Sequence, residues 1–378
     1  MLVSVIITVY NKVEYIEQCL RSVLEQTYND IEIIVVNDGS TDGSERICNN
    51  LKRQDHRIKV YTQERQGLVK SRKFGASMAD GEFILFVDGD DWIDQEMIES
   101  LVKKQKENDA DVVLCNYYNY RGEILQSKKF ALSDGFYSIE NDADVIFGAY
   151  FKIDTNYATM HNICEKLIRK SVFCNTEELV DDSVTRAEDL VFSYGLLHLC
   201  VGIQVVNKPM YFYRWVDDSM IHNIDVSVLN DVEKSYQNIV DIRTKLGSNA
   251  CLEQYINQFY RRWIDNLADQ IWGNATIRYL FPYECIEKNA KIILYGMGKV
   301  GQSYRRQVEE GSYCKLVGVM DSQKWVDGKN TLDEINKNPY DYVVISVMSE
   351  DSAKDIKMTL INKGVSESKI VWKKPVSI

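Results

Sequence analysis

The feature that most restricts the fold is a hydrophobic period that switches back and forth through the first 115 residues. Residues 2–9 form an unbroken apolar run rich in β-branched side chains, as expected of a strand buried on both faces. From 12 to 25 the period lengthens, so that Val13, Ile16, Leu20, Val23 and Leu24 share one helical face. Glu32–Val36 predicts a second strand, and Ser40 or Thr41 stands where it can cap a helix over 42–54. Further strands are expected over 58–62, 83–87 and 111–115, with helices over 69–79 and 94–108. Such alternation predicts an α/β fold, a parallel sheet with helices on both faces. Ligands in such sheets lie beyond the carboxyl ends of the strands. Tyr10 and Asn11 after the first strand, Asn37 and Asp38 after the second, and Asp88 and Asp90 after the fourth should therefore meet in one crevice.

The 378 residues suffice for two or three domains, and 45% hydrophobic with 27% charged residues is a globular balance. Lys and Arg total 45 against 56 Asp and Glu, a net charge of −11. That argues against non-specific nucleic-acid binding, which needs clustered cations. Nine scattered cysteines without a CxxC pair suit reduced thiols, and argue against a disulfide framework or a structural zinc site. The apolar start lacks the basic region of a signal peptide, and no run of about 18 apolar residues occurs. The expectation is a cytoplasmic protein.

The crevice chemistry is set by Asp88 and Asp90, whose carboxylates, two residues apart, point to one side of a strand end. Gly89 between them permits a tight turn. Paired carboxylates call for neutralisation, which a hard divalent cation sharing its ligands with phosphate oxygens supplies. A solvated acidic turn capping the helix near 94 is the alternative. Gln66–Arg72 adds a cationic helix entry, where Lys70 or Arg72 could meet a diphosphate or simply face solvent.

Together Val5–Asn11, Ile33–Ser44, Gly67–Gly75 and Phe86–Trp92 resemble the catalytic domain of family 2 glycosyltransferases, an inverting, metal-dependent group with a GT-A fold. The resemblance covers about residues 2–220 and implies a mostly parallel sheet flanked by helices. By resemblance, Thr8, Tyr10, Asn11 and Asp38 contact the donor nucleotide, most often uridine, and Arg72 matches a diphosphate-region arginine. Asp90 matches the metal ligand of the family's DxD motif, with Asp88 beside it near the ribose, and the metal implied is Mn²⁺ or Mg²⁺. Lys73 departs from the pattern, which commonly has Asn there.

Inversion needs a carboxylate to take the acceptor hydroxyl's proton. Glu188-Asp189 resembles the family's Glu-Asp pair, implying Asp189 as the base with Glu188 assisting; a plain helix cap is the alternative. Ile163–Leu167 resembles the acceptor-side segment of capsule-type members, and Tyr211–Arg214 with Ser219 their strand-and-loop signature. That implies acceptor or phosphate contacts for Lys166, Tyr213 and Arg214, against core packing for the aromatics.

Three domains are expected: a GT-A catalytic domain over 1–225, a helical connecting segment over 226–285 and a small Rossmann-like domain over 286–378. Trp263 beside Arg261 and Arg262 could touch a membrane surface, though a helical bridge packed on the catalytic domain is the favoured reading. Gly296, Gly298 and Gly301 between a strand and a helix, with Asp321 twenty residues beyond the last of them, match the dinucleotide fingerprint. NAD or another nucleotide could bind there, but no room is left for a second substrate domain, and a packing or assembly role is favoured. The expected function is transfer of a sugar from a nucleotide diphosphate sugar, a UDP-sugar above all, to a glycan or lipid-linked acceptor in bacterial surface polysaccharide synthesis. Work at the inner face of the plasma membrane is compatible with that role. The alternatives are a degenerate nucleotide-binding scaffold and an NAD-dependent oxidoreductase run by the C-terminal domain. Sugar, acceptor, linkage and oligomeric state stay open.

Overall fold

The apolar run at the start is β1 (Val3–Val9), buried along its whole length. In this computed structural model the described residues are 1–122, 124–152, 157–216, 228–247, 249–272, 279–321, 324–325, 335 and 339–377. Ser219 lies outside them. After β1 come α1 (Ile16–Leu24), β2 (Ile31–Asp38), α2 (Ser44–Lys52), β3 (Ile58–Gln63), α3 (Leu68–Ser77) and β4 (Phe83–Asp88). Then follow β5 (Trp92–Ile93), α4 (Met97–Asn108), β6 (Val112–Arg121), β7 (Ile124–Ser127), β8 (Gly135–Ser138) and α5 (Ile139–Tyr150). β9 (Lys166–Arg169), α6 (Lys170–Glu177), α7 (Glu188–Leu199) and β10 (Gly202–Arg214) complete the main sheet's segment.

The sheet runs β3-β2-β1-β4-β9-β6-β10-β5, with β7 on β6 and β8 on β10. β1 pairs in parallel with β2 and β4, β2 with β3, and β6 with β10. The expected mostly parallel sheet flanked by helices is therefore present. It is not uniformly parallel: β9 inserts antiparallel between β4 and β6. Residues Trp92 and Ile93, expected to lead directly into a helix, instead pair antiparallel with β10. The helix begins only at Met97, and its N-cap residue Glu96 makes no side-chain cap, so the acidic turn at 88–91 does not cap it. The capping expected of Ser40 or Thr41 is corrected as well. α2 starts at Ser44, after Gly43 at φ 100°, and Asp42 accepts hydrogen bonds from the Ser44 N–H and hydroxyl. Ser40 and Thr41 instead join the loop after β1: the Ser40 hydroxyl accepts from Asn11 N–H, and Thr41 N–H donates to Asn11 Oδ1.

The helical stretch holds α8 (Val228–Leu246) and α9 (Ala250–Trp272). By its contacts the chain divides into two compact units, Met1–His222 with Asp231–Phe259, and Asn223–Asn230 with Tyr260–Ile378. The second unit contains β11 (Tyr279–Leu280), β12 (Lys291–Tyr295), α10 (Lys299–Glu310), β13 (Lys315–Asp321), β14 (Lys324–Trp325), β15 (Tyr342–Ile345), α11 (Glu350–Asn362), β16 (Ile370–Val371) and β17 (Val376–Ser377). Its five-stranded sheet has the order β14-β13-β12-β15-β16, parallel except for β14. Ile293, Met320, Val343, Ile345 and Leu360 are buried together in its core.

Candidate active site

Adjacent parallel strands β2, β1 and β4 end side by side, which brings Asp38, Thr8 and Asp88 to one edge of the sheet. The Thr8 hydroxyl donates to Asp88 Oδ1 at 3.4 Å. Gly89 is required there: its N–H donates to the Thr8 carbonyl, and a Cβ would stand 2.9 Å from that oxygen.

Arg72, on α3, ties this edge to a segment over a hundred residues away. It is 1% exposed, so the solvent-facing alternative is excluded for it. Its Nη1 donates to Asp189 Oδ1 at 2.6 Å and contacts Glu188 Oε1 at 3.5 Å, while Nη2 reaches Asp88 Oδ1 at 3.3 Å. Nη2 also points to Cys164 Sγ at 3.7 Å, and Nε has no partner among the described residues. Burial disfavours the guanidinium's charge, but Asp189, Asp88 and Glu188 outweigh that and hold the proton firmly. Glu188 and Asp189 open α7, preceded by Ala187 at φ 57°, a left-handed conformation that costs a non-glycine residue about 1–2 kcal/mol. Burial, with Asp189 beside it, pushes Glu188 up to about 7, Arg72 opposing. Neither acid caps the helix through its side chain.

The acidic turn after β4 is clamped from β10. Asp91, 2% exposed, accepts hydrogen bonds from the Tyr211 hydroxyl at 2.6 Å and from Arg214 N–H at 2.7 Å. Burial, with Asp90 and Asp88 nearby, holds its carboxyl well above the usual range. The Tyr211 hydroxyl accepts in turn from Asp88 N–H. Arg214 Nε donates to the Asp90 carbonyl, Nη2 donates to Gln18 Oε1, and the guanidinium lies over the Trp92 ring at 4.5 Å. Arg214 thus shapes the turn. Asp90 itself is ion-paired with Lys12, Nζ to Oδ2 2.5 Å.

The remaining predicted residues have varied placements. Asp38 pins the turn before α3, accepting at Oδ1 from Gln66 N–H and the Gln63 amide and at Oδ2 from Gly67 N–H. Arg65 stacks on Tyr10 and donates to its hydroxyl. Asn11 is exposed, with left-handed φ 51°, and Tyr213 is half-buried on β10. Lys166 is 0% exposed, its ammonium on Glu165 Oε1 at 3.2 Å. As folded it offers nothing to an acceptor, a correction to the expected contact. Gly296 and Gly298 lie in the other unit, between β12 and α10, and Gly301 is in the first turn of α10. There a Cβ on Gly301 would fall 1.8 Å from the Gly296 carbonyl oxygen, so helix and turn touch through bare backbone. Asp321 is exposed at the end of β13. Lys12, Asp91 and Tyr211 were not singled out as functional from the sequence. A buried acid shows itself only when its partners on a distant strand are known.

Whether the acidic turn suits a metal is decided by its donors. Asp88 and Asp90 offer hard carboxylate oxygens, but no group of three or more His, Cys, Asp or Glu side chains is placed to hold an ion among the described residues. That set fits a cation of the Mg²⁺ type, which takes one or two carboxylates and completes its shell with substrate phosphate and water.

The family model for glycosyl transferase family 2 matches residues 4–168, and one described as C2185-like, N-terminal, matches 288–371. Glycosyltransferase GlyG of Streptococcus pneumoniae is 47% identical over 236 residues, 61% of this chain and 77% of that protein. Glycosyltransferase GlyA of the same organism is 34% identical over 213 residues, 56% of this chain but only 30% of that longer protein. The structure of S. aureus TarS 1–349 in complex with UDP-GlcNAc is similar in fold, with TM-score 0.54 and 23% identity, covering 71% of this chain and 73% of that one. No described helix is long and apolar enough to cross a membrane. With GlyG matched over most of its length, and the acidic turn, arginine and acid pair assembled on one GT-A-like sheet, the chain belongs to glycosyltransferase family 2.

Proposed function

We propose that this chain is an inverting glycosyltransferase that moves a sugar from a UDP-sugar to a hydroxyl of a glycan or lipid-linked saccharide in bacterial surface polysaccharide assembly. One observation carries the reading: a single buried guanidinium, Arg72, joins Asp88 at the end of β4 to Asp189 at the start of α7. A donor-side acid and a candidate base are thereby held at a set separation. Solved complexes of TarS with UDP and with UDP-GlcNAc support a uridine donor.

In this reading Asp189 accepts the acceptor hydroxyl's proton as that oxygen attacks the anomeric carbon. The bond from that carbon to the diphosphate oxygen breaks, and UDP leaves with the electron pair. Thr8, Tyr10, Asn11 and Asp38 line the nucleotide side. Asp90, with Asp88, would hold Mn²⁺ or Mg²⁺, whose positive charge would stabilise the leaving diphosphate. Arg72 is a positioning residue, since its buried guanidinium acts through the carboxylates.

Release of UDP across a panel of UDP-sugars tests the reading. Asp189→Asn should lower turnover by about 10²–10⁴-fold, the usual worth of a general base, with UDP affinity close to that of wild type. Full activity in Asp189→Asn moves the base elsewhere. Turnover of no UDP-sugar by wild type overturns the donor assignment.

A further inference from the structure

The Lys12–Asp90 ion pair is a contact that the transfer reaction does not require and the donor side has to accommodate. Lys12 sits at the turn between β1 and α1, where its backbone is fastened on both sides. Its N–H donates to the Ser44 hydroxyl at 2.8 Å, and its carbonyl accepts from Tyr15 N–H and Ile16 N–H. From that fixed root the ammonium reaches Asp90 Oδ2 at 2.5 Å, and both side chains are largely shielded, 28% and 20% exposed. Asp88, the other carboxylate of the turn, is taken by Arg72. Asp90 is held from behind as well, its carbonyl accepting from Arg214 Nε. The oxygen proposed to ligate a metal is therefore already paired with a positive charge supplied by the chain.

We propose that Lys12 is the resident counter-ion of Asp90, which a divalent cation displaces efficiently only together with the donor's diphosphate. The inference rests on the reading of Asp90 as a metal ligand. A cation arriving alone exchanges one positive partner of Asp90 for another and leaves an ammonium without its anion. Arriving with a diphosphate, it brings new anionic oxygens with which the freed ammonium can pair. Metal and nucleotide binding are then positively coupled, each raising the other's affinity by one common factor. Lys12 keeps the empty turn neutralised and disfavours binding of the bare metal.

Mn²⁺ binding measured by electron paramagnetic resonance, with and without UDP and with no sugar transfer, tests this. Wild type should bind Mn²⁺ weakly alone and much more tightly with UDP. Lys12→Met should bind Mn²⁺ alone more tightly than wild type, by a factor within about 5–150, the usual range of such couplings. Its gain on adding UDP should shrink. Lys12→Arg, which keeps the charge, should retain the wild-type weakness for Mn²⁺ alone. If wild type binds Mn²⁺ with UDP but Lys12→Met binds bare Mn²⁺ no better than wild type, the counter-ion role is overturned and the metal reading stands. If no form binds Mn²⁺ even with UDP, the metal reading fails and this inference falls with it.

Discussion

Arg72 is one charge set among Asp88, Glu188 and Asp189, and its burial is tolerated because those carboxylates replace the water it has lost. The same principle governs Asp91, whose buried carboxyl is bearable only with donors aimed at it. Tyr211 supplies the shorter of its two hydrogen bonds, and its hydroxyl also accepts Asp88 N–H. Tyr211→Phe removes that hydroxyl while keeping the ring. It should lower unfolding stability by about 1–3 kcal/mol, the cost of leaving buried polar groups unpaired. Urea titration of the two proteins measures it, and equal midpoints and slopes would contradict the clamp. Among these residues, Asp88, Asp90, Arg72 and the Glu188-Asp189 pair stood out in the sequence because their neighbours form recognisable short motifs. Asp91 did not, because its significance lies in a hydroxyl 120 residues away.

Element by element, the helices around the site carry acids whose burial makes stability depend on pH. Glu177 closes α6 half-buried, with Oε2 unpartnered among the described residues. Burial pushes its pKa up to about 7 from 4.5, Lys73 partly opposing. Because the folded-state value is the higher, the unfolded chain releases its proton first as pH rises. The stabilisation is complete below about 4.5, is lost on rising to about 7, and changes no further above that. Glu188, which opens α7, and Glu165, in the turn before β9, are both also raised to about 7 mainly by burial and act with the same sign. Glu177→Gln should therefore lose less thermal stability than wild type across that interval, as read from melting temperatures in a pH series. Parallel curves would assign the dependence to other groups. The interiors of β1, β2, β4 and α4 were legible from period alone, since burial on one face or two imprints itself on the hydrophobic pattern. Their ends were less so: α2 begins at Ser44 because Asp42 folds back on it, and a local hydrogen-bond choice leaves little trace in a sequence rich in Ser, Thr and Asp.

For the whole molecule, all residues proposed to bind donor or move the proton belong to the first unit, within Met1–His222. A chain ending at Trp272, where α9 stops, should therefore still bind UDP in the presence of Mn²⁺. A UDP-dependent rise in melting temperature, following RT ln(1 + [L]/Kd), reports it. Loss of that rise in a folded truncated chain would make the second unit part of the donor site. The amino-acid sequence alone determined the alternation of strand and helix, the mostly parallel sheet and the placing of Thr8, Asp38 and Asp88 at neighbouring strand ends, because hydrophobic period and strand-end chemistry are local properties. It also supplied the motifs by which the family is recognisable. Only the tertiary structure decided that β9 runs antiparallel between β4 and β6, that Lys166 is sealed in the interior, and that Arg72 serves carboxylates from two distant segments. It also set Lys12 against Asp90 and Tyr211 against Asp91. Those outcomes depend on which remote segments exclude water from one another, and the pairing of a buried charge is chosen by that exclusion rather than by its neighbours along the chain.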